Sequence, residues 1–201
     1  VITPHCTQIQ EQFSGAVSEE ELLFVGIYNL GFGAIKNSQI GNTIVRWWMN
    51  RLEERCFADK LNALHVDQKW IDFLPGFFPD NIKISHHLGY NTAIWNLFER
   101  DLVIHNGKYF IQSKSTKQEY PLIFYHFSGF DPDKPDVINR RQPEYNVTVY
   151  PTFKDIIDEY KEKEFKNDYY YYTFMKYDFQ NFENGNRILP FHRRIYNNLI
   201  H

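Results

Sequence analysis

The chain has 201 residues, 43% of them hydrophobic and 18% aromatic, with a formal net charge of -3. That length and apolar share suit one domain with a sizeable core rather than a disordered segment. No basic cluster exceeds a few residues, so the charge footprint of a nucleic-acid binder is missing; no apolar run is long enough to span a bilayer as a helix; and two cysteines, Cys6 and Cys56, are too few for the disulfide framework of a small secreted scaffold, which favours a reducing compartment.

The opening "VITPH" reads as the last part of a strand whose beginning is absent, so the polypeptide is expected to be a piece of a longer protein. A polar stretch follows. Glu19, Glu20 and Glu21 then lead into Leu22, Leu23, Phe24 and Val25, one or two helical turns ending at Gly26. Next, "IYNLGFGAIK" is strand-like but interrupted by Gly31 and Gly33, where either another chain segment or a ligand comes close or the strand simply bulges. Ser38 caps a helix in which Ile40, Ile44, Val45, Trp48 and Leu52 recur at helical spacing, with Trp47 and Trp48 read as packing residues.

"HVDQKWIDFLP" predicts a further helix that places Asp67 and Gln68 in its first turn and stops at Pro75. An acidic residue there often serves only as a dipole partner. "NIKISHHLGYNTAIWNL" offers a short strand, two adjacent histidines and a polar loop bearing Tyr90, Asn91, Trp95 and Asn96. Strands are predicted over 101–105, 108–112 and 122–126, the first two joined by Asn106-Gly107, a strong hairpin signal. The last of these runs ends in "HFSG", so that His126 stands where α/β proteins keep ligands and Ser128 and Gly129 open the chain into a turn. A histidine there can equally be a hydrogen-bonded core residue. From Pro151 onward, helical spacing amid lysines and glutamates, and the tyrosine run 169–172, predict a helical, aromatic-rich appendage.

In order and spacing, "YNLGFGAIKNS", "WW" on a helix, "HVDQKWID", "HHLGYNTAIWNL" and "PLIFYHFSGFDP" together resemble bacterial glycosyltransferases of the GT-A fold, in the glycogenin and galactosyltransferase-like group. The tail "NFENGNRILPFHRRIY" also looks like the end of such proteins. The resemblance implies an α/β fold: the C-terminal portion of a mixed sheet flanked by helices over residues 1–135, and a helical appendage over 136–201. It implies an enzyme of polysaccharide biosynthesis that moves a sugar from a nucleotide-diphosphate sugar donor to a carbohydrate or surface-polymer acceptor with retention. Such an enzyme would be cytoplasmic or peripheral to the inner face of the membrane.

On the same resemblance His126 helps ligate a divalent metal, Mn2+ or Mg2+, that steadies the departing diphosphate. Asp67 and Gln68 face the donor sugar as catalytic residues. Asn29 meets the sugar, Gly31 lets the backbone come close, and His87, Tyr90, Asn91, Trp95, Asn96, Ser128 and Gly129 serve the donor or acceptor side. Two departures stand out. Related enzymes carry a phosphate-contacting lysine six residues after the metal histidine, where this chain has Pro132, its nearest lysine being Lys134. The acidic metal pair is also missing from a strand end before His126, since Asp131-Pro132-Asp133 follows that histidine and reads as a loop. The pair is therefore expected upstream of Val1, and the 201 residues alone are expected to transfer little or no sugar. The competing expectation is a non-catalytic carbohydrate-binding or scaffold domain of the same fold. A histidine-based metallohydrolase is disfavoured, because no two histidines share a helix face with a carboxylate at metal-ligand spacing.

Overall fold

The computed structural model describes residues 1–11 and 17–200; part of the polar opening lies outside them. The chain divides into two compact units, Val1–Asp158 and Glu159–His201. The first is a mixed α/β unit of short sheets and helices. Its N-terminal strand β1 (Ile2–Pro4) pairs antiparallel with β2 (Tyr28–Gly33), and the register shifts between Ile2 and Thr3. On its other side β1 makes a parallel bridge to Ile84, through Ile2 N–H to Lys83 O at 3.0 Å and Ser85 N–H to Ile2 O at 2.9 Å. The strand expected around "NIKIS" is reduced to that one bridge. Between β1 and β2 runs α1 (Glu19–Val25), whose N-terminus is capped by the Ser18 hydroxyl accepting from Glu21 N–H.

Helix α2 (Gln39–Arg55) starts at Ser38, whose Oγ accepts from Gly41 N–H at 3.1 Å, as the sequence predicts. It buries Ile44 and half-buries Trp47 and Trp48 against Ile2, Leu30, Ile71 and Leu74 in one of two core clusters. After the two-residue ladder of β3 (Ala58–Asp59) and β4 (Leu64–His65), a 3-10 turn over Gln68–Phe73 runs into the short α3 (Leu74–Phe77). Pro75 does not stop this helical segment. It sits in the first turn of α3, where an absent N–H leaves no bond unmade.

The second core cluster centres on the hairpin of β5 (Arg100–His105) and β6 (Lys108–Ser113), turned at Asn106 and Gly107 with φ of 50° and 72°, as a tight hairpin turn requires. Leu102 and Ile111 face each other across it almost wholly buried, each contributing about 1.5–3 kcal/mol of apolar burial. Strand β7 (Glu119–Pro121) completes this sheet. The predicted strand over 122–126 does not form a ladder. Leu122 N–H still bonds β6, at Tyr109 O, 3.0 Å away, and from there the chain leaves β6 to lie along residues 89–92, bonding Ile123 N–H to Gly89 O and His126 N–H to Thr92 O, both at 2.8 Å.

Residues 136–158, expected in the appendage, belong to the first unit. Ile138, Phe153 and Ile157 are buried in the hairpin cluster, so their apolar side chains complete that core rather than a separate layer. Helix α4 (Lys154–Lys166) begins there. The second unit carries the helices α5 (Tyr169–Thr173) and α6 (Pro190–Ile200), and i,i+4 pairs of Lys163 with Glu159 and Lys166 with Glu162. Among the described residues no helix is long and apolar enough to cross a membrane. Cys6 and Cys56 are both free thiols.

Candidate functional site

The chain leaving β1 turns His5 inward, where the residue is only 5% exposed. Its Nδ1 lies 3.1 Å from the Ile27 carbonyl, which can only accept, so Nδ1 carries the proton. Its Nε2 is then an acceptor, and the Asn29 Nδ2 amide donates to it at 3.1 Å. That fixes the other end of the Asn29 amide, whose Oδ1 accepts from Gly31 N–H at 2.7 Å. Burial pushes the His5 imidazole down to about 4, so it is neutral near pH 7 and keeps the lone pair this relay needs.

His126 meets the same strand from the far side of the chain. Gly31 is exposed, and a β-carbon placed on it would lie 2.9 Å from both Cε1 and Nδ1 of the His126 ring. The two segments touch through the side chain that glycine lacks. Trp95 stands edge-on to both imidazoles, 5.0 Å from His126 and 5.5 Å from His5 between ring centres. Burial lowers the His126 pKa, which favours its neutral form, and its Nδ1 is buried with no hydrogen-bond partner. The indole Nε1 of Trp95 is likewise unpaired.

Ser128 and Gly129 follow in a turn held by Asn139, whose Nδ2 donates to Ser128 O at 2.6 Å. Asn139 is 3% exposed and packs against Gly129, which has φ of 72°. Neither His5 nor Asn139 carried a spacing or motif signal. They are visible only once the chain folds them against Asn29 and the "HFSG" turn.

The remaining expected site residues divide into three groups. Asn91, Trp95 and Asn96 are interior rather than open to a ligand: Asn91 and Asn96 are fully buried, and Trp95 is 7% exposed with no face to offer a sugar. Asn96 donates to His5 O and Asn91 O and accepts from Ala93 N–H, which satisfies backbone groups of a loop-rich segment that has no ladder to do so. His87 and Tyr90 are half-buried in an aromatic patch that joins Tyr90 to Phe32 and Phe124 at 5.7 and 5.9 Å.

Gln68 lies on the edge of β2, where its Oε1 accepts from Leu30 N–H at 3.0 Å and its Nε2 donates to Val25 O at 2.8 Å. Both ends of the amide are thereby taken by backbone. Asp67 lines a cleft of about 750 Å3 with Leu30, Ile44, Trp48 and Ile71, and its carbonyl accepts from Trp48 Nε1–H.

The metal expected at His126 finds a single nitrogen. Among the described residues no group of three or more His, Cys, Asp or Glu side chains could hold an ion, and His5, the histidine beside His126, has both nitrogens engaged. The residues present do not by themselves make a metal centre.

No family model and no solved structure matches the chain. Two proteins of Bacillus subtilis (strain 168) are similar to it. The uncharacterized protein YfnF is 31% identical over 106 residues, which cover 53% of this chain and 33% of that protein. The uncharacterized protein YfnD is 31% identical over 107 residues, covering 52% of this chain and 32% of its own length. The matched segment thus spans about a third of these relatives.

Proposed function

We propose that the chain is the sugar-facing portion of a GT-A type glycosyltransferase that moves a sugar from a nucleotide-diphosphate donor to a carbohydrate or surface-polymer acceptor, with retention. The observation that carries this reading is the packing of Gly31 against His126, which joins the "YNLGF" and "HFSG" segments in one place. Exposed backbone at Gly31 allows a sugar ring to approach closely, and Asn29, with its amide orientation fixed, stands beside it. His126 Nδ1 is buried against Gly31, so the nitrogen left for a ligand is Nε2; protonated there, the neutral ring donates one hydrogen bond to a diphosphate oxygen as negative charge gathers on it. His87 and Tyr90, in the half-buried aromatic patch, present apolar ring surface suited to the acceptor. No step is assigned to a metal, for which this chain offers one nitrogen.

A second reading, a non-catalytic carbohydrate-binding or scaffold domain, is favoured by one observation: the Gln68 amide is committed to Leu30 and Val25 rather than open to a substrate. One experiment separates the two. The intact protein is assayed for sugar transfer from nucleotide sugars with manganese, as wild type and as His126→Ala, alongside circular dichroism of both. A folded His126→Ala variant with strongly reduced turnover supports the enzyme. Wild-type rates without His126 sink the assignment, and sugar binding with no turnover in either protein supports the binding domain.

A further inference from the structure

We infer that His5 is a positioning residue of the candidate site: its imidazole sets the orientation of the Asn29 amide and, through it, the peptide of Gly31 that His126 packs against. The argument is one of direction. Ile27 O can only accept, so His5 donates from Nδ1; Nε2 can then only accept, so Asn29 donates from Nδ2; the remaining Oδ1 accepts from Gly31 N–H. Each bond determines the next, and the opposite orientation of the Asn29 amide would set two donors face to face at Gly31 and two acceptors face to face at His5 Nε2. The relay has one consistent state.

Its surroundings hold it there. Trp95 packs edge-on against the His5 ring, and Asn96 donates to the His5 carbonyl at 2.9 Å. Asn29, 6% exposed, makes no other side-chain hydrogen bond among the described residues, so its orientation depends on His5 and on the Gly31 N–H alone. The Thr3 hydroxyl reaches only the Asn29 backbone carbonyl, at 3.4 Å. The meaning of this relay for catalysis rests on the glycosyltransferase reading, whereas its existence does not.

The experiment follows that division, using NMR on the 201-residue chain with no sugar donor present. Long-range proton–nitrogen spectra of His5 are expected to show the neutral form protonated on Nδ1, the less common tautomer of free imidazole. His5→Phe, which keeps the ring and removes both bonds, is expected to shift the Gly31 amide and the His126 ring resonances and to speed Gly31 amide exchange roughly tenfold, the scale of one lost hydrogen bond. His5→Gln, whose amide can again accept from Asn29 and donate to Ile27, is expected to restore most of both, and it carries the test if His5→Phe does not fold. An imidazole protonated on Nε2, or Gly31 and His126 signals unmoved by His5→Phe, overturns the inference. So does failure of a folded His5→Gln to differ from His5→Phe. A positive NMR result in a protein that transfers no sugar would retain the relay and remove only the glycosyltransferase reading.

Discussion

Gly31 and His126 face each other with no room for a β-carbon between them: one added to Gly31 would lie 2.9 Å from the imidazole and 2.6 Å from the Asn29 Oδ1 that accepts its N–H. Gly31→Ala is therefore expected to displace either the ring or the amide. The cost is about 1–3 kcal/mol, typical of overpacking at a close contact. Thermal denaturation should show it as a lowered midpoint. His126→Gly in the same chain should recover part of the loss by vacating the ring, leaving the Asn29 conflict in place, so the two substitutions should be non-additive. A Gly31→Ala chain as stable as wild type, with the His126 resonances unmoved, would remove the contact on which the functional reading stands.

The Gln68 side chain ties the edge of β2 to the end of α1 through two backbone groups, Leu30 N–H and Val25 O. Gln68→Leu leaves both unmatched and should lower stability by about 1–3 kcal/mol. Gln68→Glu keeps the acceptor for Leu30 but sets a carboxylate oxygen against the Val25 carbonyl, so it should cost at least as much. Urea denaturation midpoints of the two variants measure this. Unchanged stability in both would mean that the amide is free for a substrate after all.

What the sequence made legible follows from how local each signal is. Ser38 before a 3.6-residue apolar period, and Asn106-Gly107 between two alternating runs, state their structure within a few residues, and α2 and the β5–β6 hairpin appear accordingly. The run from Leu122 to His126 misleads because its apolar character comes from packing on residues 89–92, a contact that no local period encodes. Asn91 and Asn96 look like ligand residues because they are polar within a loop, yet that loop has buried backbone groups to satisfy and uses them for it. His5 carries no local signal, because its partners, Ile27 and Asn29, lie more than twenty residues away.

Glu99 and Arg100 form an ion pair at 2.8 Å with side chains 0% and 2% exposed. The Glu99 carboxylate also accepts from Thr7 N–H and Thr7 Oγ–H, and Arg100 donates to Leu88 O and Tyr90 O. The pair thus ties the segment after β1 to the turn that carries His87 and Tyr90. Removing one charge strands the other in the interior, so Glu99→Gln and Arg100→Met should each cost about 3–5 kcal/mol. Replacing both together should cost less than the sum, because no lone charge remains. Guanidinium denaturation of the three variants checks this; additive losses would show that the two side chains act independently.

Acid should weaken the first unit through His5. Its pKa is pushed down to about 4 by burial, with the nearby His126 acting in the same direction, while the Ile27 carbonyl, the Gly26 backbone and Asp72 oppose the shift. An unfolded histidine titrates near 6.5, so between about pH 6.5 and 4 the unfolded chain binds more protons than the folded one. Stability from His5 is therefore fully present above the unfolded value and declines as pH falls towards 4, by on the order of 3 kcal/mol across that window. His126, whose pKa is also lowered by burial, adds to the same slope. Denaturation midpoints measured from pH 7.5 to 4 should fall with acid in the wild type and fall less steeply in His5→Gln, which has no proton to gain. Equal slopes in the two proteins would show that the buried imidazole does not govern the acid limb.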